Sequence, residues 1–108
     1  MIITEEIAKI RDIIINTIPI ERLYLFGSYA YGTPNEDSDY DFYAVIPNNS
    51  MRPLDAIYEM YKATGDIKNR KPMDILAGTT EIFERRSKLL TIEKTIAEKG
   101  VILYGKNQ

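Results

Sequence analysis

Residues 22–46 read RLYLFGSYAYGTPNEDSDYDFYAVI, and this stretch decides the fold. An apolar run over residues 22–26 ends at Gly27, where small residues and a Gly-Thr-Pro-Asn loop follow. A second run, over residues 40–46, is rich in β-branched and aromatic side chains and ends at Pro47. The pattern predicts a strand, a sharp turn, a short helix, a loop and a second strand.

The rest of the chain alternates predicted helices with predicted strands. Isoleucines at helical spacing over residues 3–18 predict a first helix that Pro19 ends. A later helix begins near Pro53 and is predicted to bury one face, formed by Leu54, Ile57, Tyr58 and Tyr61. Strands are predicted over residues 72–77 and 101–104, with a helix from Glu81 to Gly100 between them, in which a break near Ser87 stays open. The order is α-β-α-β-α-β-α-β, which is typical of a two-layer α/β (α+β) domain with helices on a small sheet.

Composition limits the chemistry that is available to the chain. Its 108 residues suffice for one domain, residues 1–108, and the net charge of -2 gives no general attraction to nucleic acid or anionic lipid. Cysteine and histidine are both missing, so catalysis must use carboxylates, hydroxyls and bound cations. No stretch approaches the roughly 18 apolar residues of a membrane span and the first residues lack a basic leader, so we expect a cytoplasmic protein.

The Gly27-Ser28 pair has two interpretations. Gly27 follows a predicted strand and Ser28 begins a helical turn, so backbone N–H groups and a hydroxyl would face an anion at the helix N-terminus. The other interpretation is a serine that only caps a short helix. The pair alone does not decide between them.

Asp39 and Asp41 flank Tyr40 at the start of the second predicted strand. Period-2 alternation places the two carboxylates on one face, about 6 to 7 Å apart at their Cα atoms. Two such anions repel each other, and a divalent cation removes that cost. Alternatively, this is a solvated junction between loop and strand, with Asp39 in an Asx-turn.

Asp74 is an acid inside an otherwise apolar strand, in the segment KPMDILAG. Acids are depleted in strands, so this one needs a reason. If its strand lies beside the Asp39/Asp41 strand, three carboxylates converge as ligands of a two-metal phosphoryl-transfer site, whose ions stand about 3.5 to 4 Å apart. The alternative is an aspartate on a solvent-exposed edge strand.

The fragments GSYAYG, SDYDFYAV and MDIL occur in that order along the chain. Together they resemble the GS-x-A-x-G, SDxD and third-aspartate pattern of the DNA polymerase β-like nucleotidyltransferase superfamily. Small size and the ending IAEKGVILYG make the chain most similar to the minimal nucleotidyltransferase (MNT) group. The resemblance covers nearly the whole chain and implies the nucleotidyltransferase fold, a small mixed β-sheet flanked by helices.

The resemblance also implies the roles of individual residues. Three residues are implied to bind the nucleotide, with ATP as the substrate, and they are Gly27, Ser28 and Ser38. Two Mg²⁺ ions are implied at the catalytic carboxylates, which are Asp39, Asp41 and Asp74. Tyr31 stands where many MNT proteins have arginine, so one cationic contact to the nucleotide or the partner is missing.

MNT proteins resemble antitoxins that pair with HEPN-domain ribonuclease toxins, and some transfer AMP to a tyrosine of the toxin. The resemblance therefore implies a protein adenylyltransferase that acts as an antitoxin (AMPylation) in a hetero-oligomer, with no direct contact to nucleic acid or membrane. Two alternatives stay open: a non-catalytic antitoxin that neutralises the toxin by binding, and a nucleotidyltransferase for RNA or a small molecule. Tyrosines near the site, Tyr29 and Tyr31, could stack on adenine or meet a partner, whereas Tyr43 is expected to pack in the sheet.

Overall fold

The computed structural model describes residues 3–105 and contains the predicted alternation of helices and strands. The elements are α1 (Glu5–Ile15), β1 (Arg22–Phe26), α2 (Ser28–Tyr31), β2 (Tyr40–Ile46), α3 (Pro53–Thr64), β3 (Met73–Thr79), α4 (Thr80–Arg86), α5 (Ile92–Lys99) and β4 (Val101–Tyr104). The predicted order is confirmed, except that the last predicted helix is two helices, α4 and α5. Over the described residues, no helix is long and apolar enough to cross a membrane.

The four strands form one mixed sheet in the order β3-β2-β1-β4. β1 is antiparallel to β2 and to β4, whereas β2 and β3 run parallel. A parallel pair requires a crossover connection, and α3 supplies it. The expectation of a small mixed sheet flanked by helices is therefore confirmed.

Helices cover both faces of the sheet, so the domain has three layers where the alternation predicts two. On one face, α1 and α3 pack on side chains such as Leu25 and Phe42. On the other face, Phe83 of α4 and Ile96 of α5 pack on Tyr43 and its neighbours. The residues of β2 alternate strictly between these two faces, as a strand requires.

The isoleucine repeat forms α1, but the helix is shorter than predicted. Thr4 caps its start, because the Thr4 hydroxyl accepts a hydrogen bond of 3.1 Å from the Ile7 N–H. The isoleucines that α1 buries are Ile7, Ile10 and Ile14. The helix ends at Ile15, and the Asn16 side chain donates to the carbonyl of Asp12 in the last turn at 2.7 Å. Ile18 is still buried, but in the turn that follows.

The buried face of α3 is only partly the predicted one, since Ile57 packs against the core but is only partly buried. The helix buries Ala56, Met60 and Thr64, while Leu54 is 77% exposed and Tyr58 is 63% exposed. The hydroxyl of Thr64 donates to the carbonyl of Met60 at 2.7 Å, so this polar residue can be buried. Small and flexible side chains let the crossover helix approach the sheet closely, and the larger apolar residues lie outside.

Thr91 separates α4 from α5. Its hydroxyl accepts from the Lys94 N–H at 3.2 Å and donates to the carbonyl of Arg86 at 2.6 Å. The same side chain therefore caps the start of α5 and satisfies a carbonyl at the end of α4. The break near Ser87 that the sequence left open is present.

Glu93 is a buried acid that ties α5 to the sheet. The Tyr43 hydroxyl donates to Glu93 Oε2 at 3.1 Å, and Arg86 Nε lies 3.0 Å from Glu93 Oε1. Burial by itself would raise the pKa of Glu93, but hydrogen bonds from its own backbone N–H, Arg86 and Tyr43, with the Arg86 charge, outweigh it and lower that pKa. Tyr43 is a core residue, as expected.

Candidate active site

Asp41 and Asp74 are direct neighbours across the sheet. In the parallel ladder of β2 and β3, Asp41 stands opposite Asp74, and on its other side Asp41 stands opposite Phe26 of β1. Residues that stand opposite each other point to the same face. Both carboxylates therefore lie on the face that α4 and α5 partly cover, as predicted for strands lying side by side.

Asp39 is exposed and lies in the loop just before β2. The pKa of Asp41 is raised above its ordinary value, first by burial and then by the negative charges of Asp74 and Asp39. Asp39 and Asp74 thus both act electrostatically on Asp41. Within residues 3–105, however, no three acidic side chains lie close enough together to enclose a metal ion. The side chains of Asp39, Asp41 and Asp74 therefore do not converge on one position.

The chemistry of these acids fits a divalent cation. Carboxylate oxygens are the ligands that Mg²⁺ prefers, and the chain has no histidine or cysteine that would favour a softer metal. Like charges on directly opposite residues destabilise a sheet. A cation held by Asp41 and Asp74, with Asp39 beside them, would relieve that repulsion. β3 is also an edge strand and Asp74 is exposed, so the position alone is compatible with the solvated alternative.

Gly27 lies directly against Asp41. Its φ of +74° and ψ of -159° belong to a region that is almost restricted to glycine. A Cβ built on Gly27 would overlap the Oδ2 atom of Asp41. The glycine thus provides space for the carboxylate, and the Gly-Ser turn and the acids form one site.

The short helix α2 begins directly after Gly27. The N–H groups of Ala30 and Tyr31 donate to the Gly27 carbonyl at 3.0 and 2.9 Å. The first N–H groups of a helix have no partner within it, and those of α2 belong to Ser28 and Tyr29. The helix ends at Gly32, which has a φ of +102°. The sharp turn and short helix that the sequence predicts are confirmed.

A cleft of about 320 Å³ opens beside the two paired acids. Its lining residues are Phe26, Asp41, Tyr61, Asp74, Ile75, Leu76 and Ile92. Among the described residues, a larger cavity of about 690 Å³ lies at the Arg22 end of β1, which is the opposite end from Phe26. The smaller cleft is the one that Asp41 and Asp74 line.

Comparison with models of known protein families identifies the family of this chain. Residues 8–108 match the family described as polymerase beta, nucleotidyltransferase. The chain belongs to the polymerase β nucleotidyltransferase family. The recognition from GSYAYG, SDYDFYAV and MDIL is confirmed at this level.

Solved structures share the nucleotidyltransferase fold of the chain. A mutant form of the toxin-antitoxin MntA-HpeT superposes with a TM-score of 0.60 at 21% identity, covering 93% of this chain and 73% of that one. A toxin-antitoxin structure with AMP-PNP gives a TM-score of 0.53 at 21% identity, with the same coverage of 93% and 73%. Identities this low establish the fold alone. The search of curated proteins found no match.

In this nucleotidyltransferase, Ser38 helps to close the loop before β2. Its hydroxyl accepts from the Asn35 N–H at 2.8 Å, and the Asn35 side chain accepts from the Asp37 N–H at 2.8 Å. The Asx-turn that the sequence suggested for Asp39 is thus made by Asn35. The hydroxyl hydrogen of Ser38 can still donate, and its nucleotide-binding role stays a prediction.

The tyrosines of α2 differ from each other. Tyr29 packs edge-on against Tyr40 with ring centroids 4.8 Å apart, so its ring contributes to the core on the α1 side. Tyr31 is 42% exposed, so it is the one that can meet a nucleotide or a partner.

Two residues of the cleft were not identified from the sequence. The sequence predicts Tyr61 on the buried face of α3, and it places Ile92 inside the last predicted helix, beyond the break near Ser87 that it leaves open. The Tyr61 hydroxyl accepts from the Ile75 N–H at 2.9 Å and donates to the Met73 carbonyl at 3.4 Å. The capping pattern at Thr91 is a signal that could have placed Ile92 at a helix start, whereas no local pattern indicates the contacts of Tyr61.

Proposed function

We propose that this chain is a Mg²⁺-dependent nucleotidyltransferase that transfers AMP from ATP to a tyrosine hydroxyl of a HEPN ribonuclease toxin, and thereby acts as an antitoxin. The observation that carries the proposal is the cross-strand pair of Asp41 and Asp74 with Gly27 against Asp41. This arrangement brings a turn suited to phosphate next to carboxylates suited to cations. Membership of the nucleotidyltransferase family supports the same chemistry.

The candidate site extends across the sheet from the Gly27 turn, through Asp41 of β2, to Asp74 of β3. Its two ends differ chemically. At the β1 end, the Gly27 turn and the first N–H groups of α2 would bind the triphosphate of ATP, with the Ser28 hydroxyl beside them. Ser38 would contribute from the loop before β2. At the β3 end, Asp74 faces a cleft with apolar walls. The nucleotide thus leaves the Asp74 end free for the acceptor.

The acids would hold two Mg²⁺ ions, with Asp39 and Asp41 as ligands of both and Asp74 completing the site. Ions held there would lower the pKa of the attacking hydroxyl and stabilise charge on the leaving oxygen. In the transfer, the acceptor hydroxyl loses its proton to solvent as its oxygen bonds to the α-phosphorus. The bond from the α-phosphorus to the oxygen of the departing pyrophosphate breaks, and AMP stays on the acceptor.

Exposed apolar side chains beside the cleft support a protein acceptor. In the turn between α4 and α5, Leu90 is 96% exposed and Leu89 is 56% exposed. Ile92, which follows them, is 45% exposed and lines the cleft. Apolar surface next to a site is typical of a region that contacts another protein. The structural neighbours are themselves toxin-antitoxin structures, one of them with AMP-PNP, an analogue of ATP.

A non-catalytic antitoxin is the second candidate. The observation that favours it is Tyr31, an exposed residue without charge at a position where many MNT proteins have arginine. Without that cation the nucleotide would be held by fewer contacts. The exposed turn with Leu89 and Leu90 would still allow the chain to bind a toxin.

Labelled ATP separates the two candidates. The chain is incubated with Mg²⁺, ATP labelled at the α-phosphate and the toxin encoded beside it. The enzyme transfers label to the toxin and abolishes its ribonuclease activity, and Asp39→Asn or Asp41→Asn prevents both. Asp37→Asn is the matched control, because it removes the same charge from the loop that contains Asp39. Neutralisation that survives both active-site substitutions, with no label on the toxin, would support binding alone and refute the enzyme.

A further inference from the structure

We propose that Tyr61 is a positioning residue for Asp74, fixing the backbone on both sides of this acid from the open edge of the sheet. The inference rests on the proposed function in one respect, namely that Asp74 is a cation ligand. It goes beyond that function because it assigns a role to a residue that lies outside the sequence motifs.

Asp74 lies on the strand that is least supported by its neighbours. In the part of the chain that the structure describes, β2 pairs with one side of β3 and no strand pairs with the other. The Tyr40 N–H of β2 donates to the Pro72 carbonyl at 3.1 Å. Because backbone groups alternate along a strand, Asp74, two residues later, also directs its N–H and C=O toward β2. Met73 and Ile75 therefore direct theirs outward, where an edge strand leaves them unpaired.

The Tyr61 hydroxyl forms hydrogen bonds with one outward-facing group of each residue, the Ile75 N–H and the Met73 carbonyl. It accepts from the Ile75 N–H at 2.9 Å and lies 3.4 Å from the Met73 carbonyl, which is within reach of a long hydrogen bond. One hydroxyl thus bridges the two residues that flank Asp74. At these two residues the hydroxyl thus takes the place of the hydrogen bonds that a further strand would provide.

Tyr61 can hold this position because its helix is fixed. Met60, the preceding residue, is fully buried, and α3 packs on β3. The Tyr61 side chain is 37% exposed and reaches around the strand edge, where it also lines the cleft with Asp74. The contact therefore connects the rigid core to the acid.

Tyr61 would influence the Asp74 carboxylate through the backbone of β3. Its side chain is exposed, so the direction of the carboxylate depends on the backbone that carries it. The β2 ladder fixes that backbone from the inside and Tyr61 fixes it from the outside. Loss of the outer contact would let the strand edge fray and would separate the Asp74 carboxylate from that of Asp41.

Tyr61→Phe removes the hydroxyl and keeps the ring. Tyr58→Phe is the matched control, because Tyr58 is on the same helix and is 63% exposed. Two quantities are measured on the full chain: exchange of the Ile75 amide by NMR in metal-free protein, and Mn²⁺ affinity by electron paramagnetic resonance. Since one hydrogen bond contributes about 0.5–1.5 kcal/mol, we expect Tyr61→Phe to weaken Mn²⁺ binding roughly 2- to 10-fold and to speed Ile75 exchange. Tyr58→Phe should change neither quantity.

The outcomes distinguish this inference from the proposed function. If the unmodified protein binds Mn²⁺ and Tyr61→Phe binds it equally well, the positioning role is refuted while the metal site stands. If Asp74→Asn leaves Mn²⁺ affinity unchanged, or the unmodified protein binds no Mn²⁺, the proposed metal site fails and the inference fails with it.

Discussion

The carboxylate of Asp41 occupies the space that a side chain on Gly27 would need. Gly27 ends the first strand of the motif and Asp41 lies in the second, and the antiparallel pairing of Phe26 with Asp41 brings them together. The turn proposed for phosphate and the acids proposed for metal are therefore built from touching residues. A change at one should be measurable at the other.

Gly27→Ala should weaken metal binding as well as the fold. The substitution places a side chain in a strained backbone region, at about 1–3 kcal/mol, and also displaces the Asp41 carboxylate. Gly32→Ala is the control, because Gly32 also has a positive φ but no atom lies within 4 Å of its added Cβ. Urea unfolding should show a loss of stability for both variants, and Mn²⁺ titration should show weakened binding for Gly27→Ala only. Equal Mn²⁺ affinities would contradict the contact.

Asp41→Asn should stabilise the metal-free protein at pH 7. The pKa of Asp41 is raised on folding, so the folded state holds this proton more tightly than the unfolded state. Between the ordinary pKa of 3.8 and the raised value, stability falls as pH rises, and above that window ionised Asp41 destabilises the fold. The Tm advantage of Asp41→Asn should vanish below pH 3.8, where the acid is protonated in both states.

A control variant and the addition of Mg²⁺ further test the prediction for Asp41→Asn. Asp37→Asn removes the same charge at an exposed loop position and should leave Tm nearly unchanged. Addition of Mg²⁺ should reverse the order, because the unmodified protein gains stability from a ligand that binds only its folded state. An Asp41→Asn protein that is less stable than the unmodified one without metal would contradict the raised pKa of Asp41.

Glu93→Gln should lower the free energy of unfolding by about 1–2 kcal/mol at pH 7, because the carboxylate that accepts from Tyr43 and pairs with Arg86 is lost. Glu98→Gln, on the same helix but exposed, is the control. The lowered pKa of Glu93 means that its contribution is present above the ordinary value of 4.5 and is lost as pH falls through the folded-state pKa. Urea unfolding at a series of pH values measures this, and a difference that does not shrink as the pH falls below 4.5 would contradict it.

Leu90→Asp should weaken toxin binding without unfolding the domain. Leu90 is 96% exposed, so its replacement should change the free energy of unfolding by less than about 0.5 kcal/mol. Leu54→Asp is the control, since Leu54 is 77% exposed but lies at the end of α3 away from Tyr61 and the cleft. Calorimetric titration with the toxin should detect weaker binding for Leu90→Asp only. Equal affinities would place the interface elsewhere.

The sheet face of Asp41 was predictable because it depends on a short-range rule. Period-2 alternation assigned Tyr40 and Phe42 to one face and Asp41 to the other, and the structure agrees. If the strand of Asp74 pairs with that of Asp41, the two acids lie side by side, and the pairing of β2 with β3 meets this condition. Spacing did not determine which strands pair, and it assigned Asp39 to the strand face of Asp41, whereas Asp39 lies in the loop before β2.

The contacts of α3 were not predictable by the same rules. Hydrophobicity favoured Tyr58 as a core residue, but close packing of a crossover helix selected Ala56 and Met60 instead. The bridge from Tyr61 to β3 joins residues that are 12 and 14 positions apart, and it depends on which strand forms the sheet edge. Only the three-dimensional arrangement supplies that information.

The register of β2 against β3 would also make binding at the proposed metal site a measure of correct folding. Asp74 reaches Asp41 only when the two strands pair as they do here. A shift by one residue would turn Asp74 toward the apolar face and oppose Asp41 with Met73 or Ile75. Molecules with a slipped strand would keep most of their secondary structure, yet they would lack the site. Titration with Mn²⁺ would therefore count the correctly paired fraction of a refolded sample, which circular dichroism could not do.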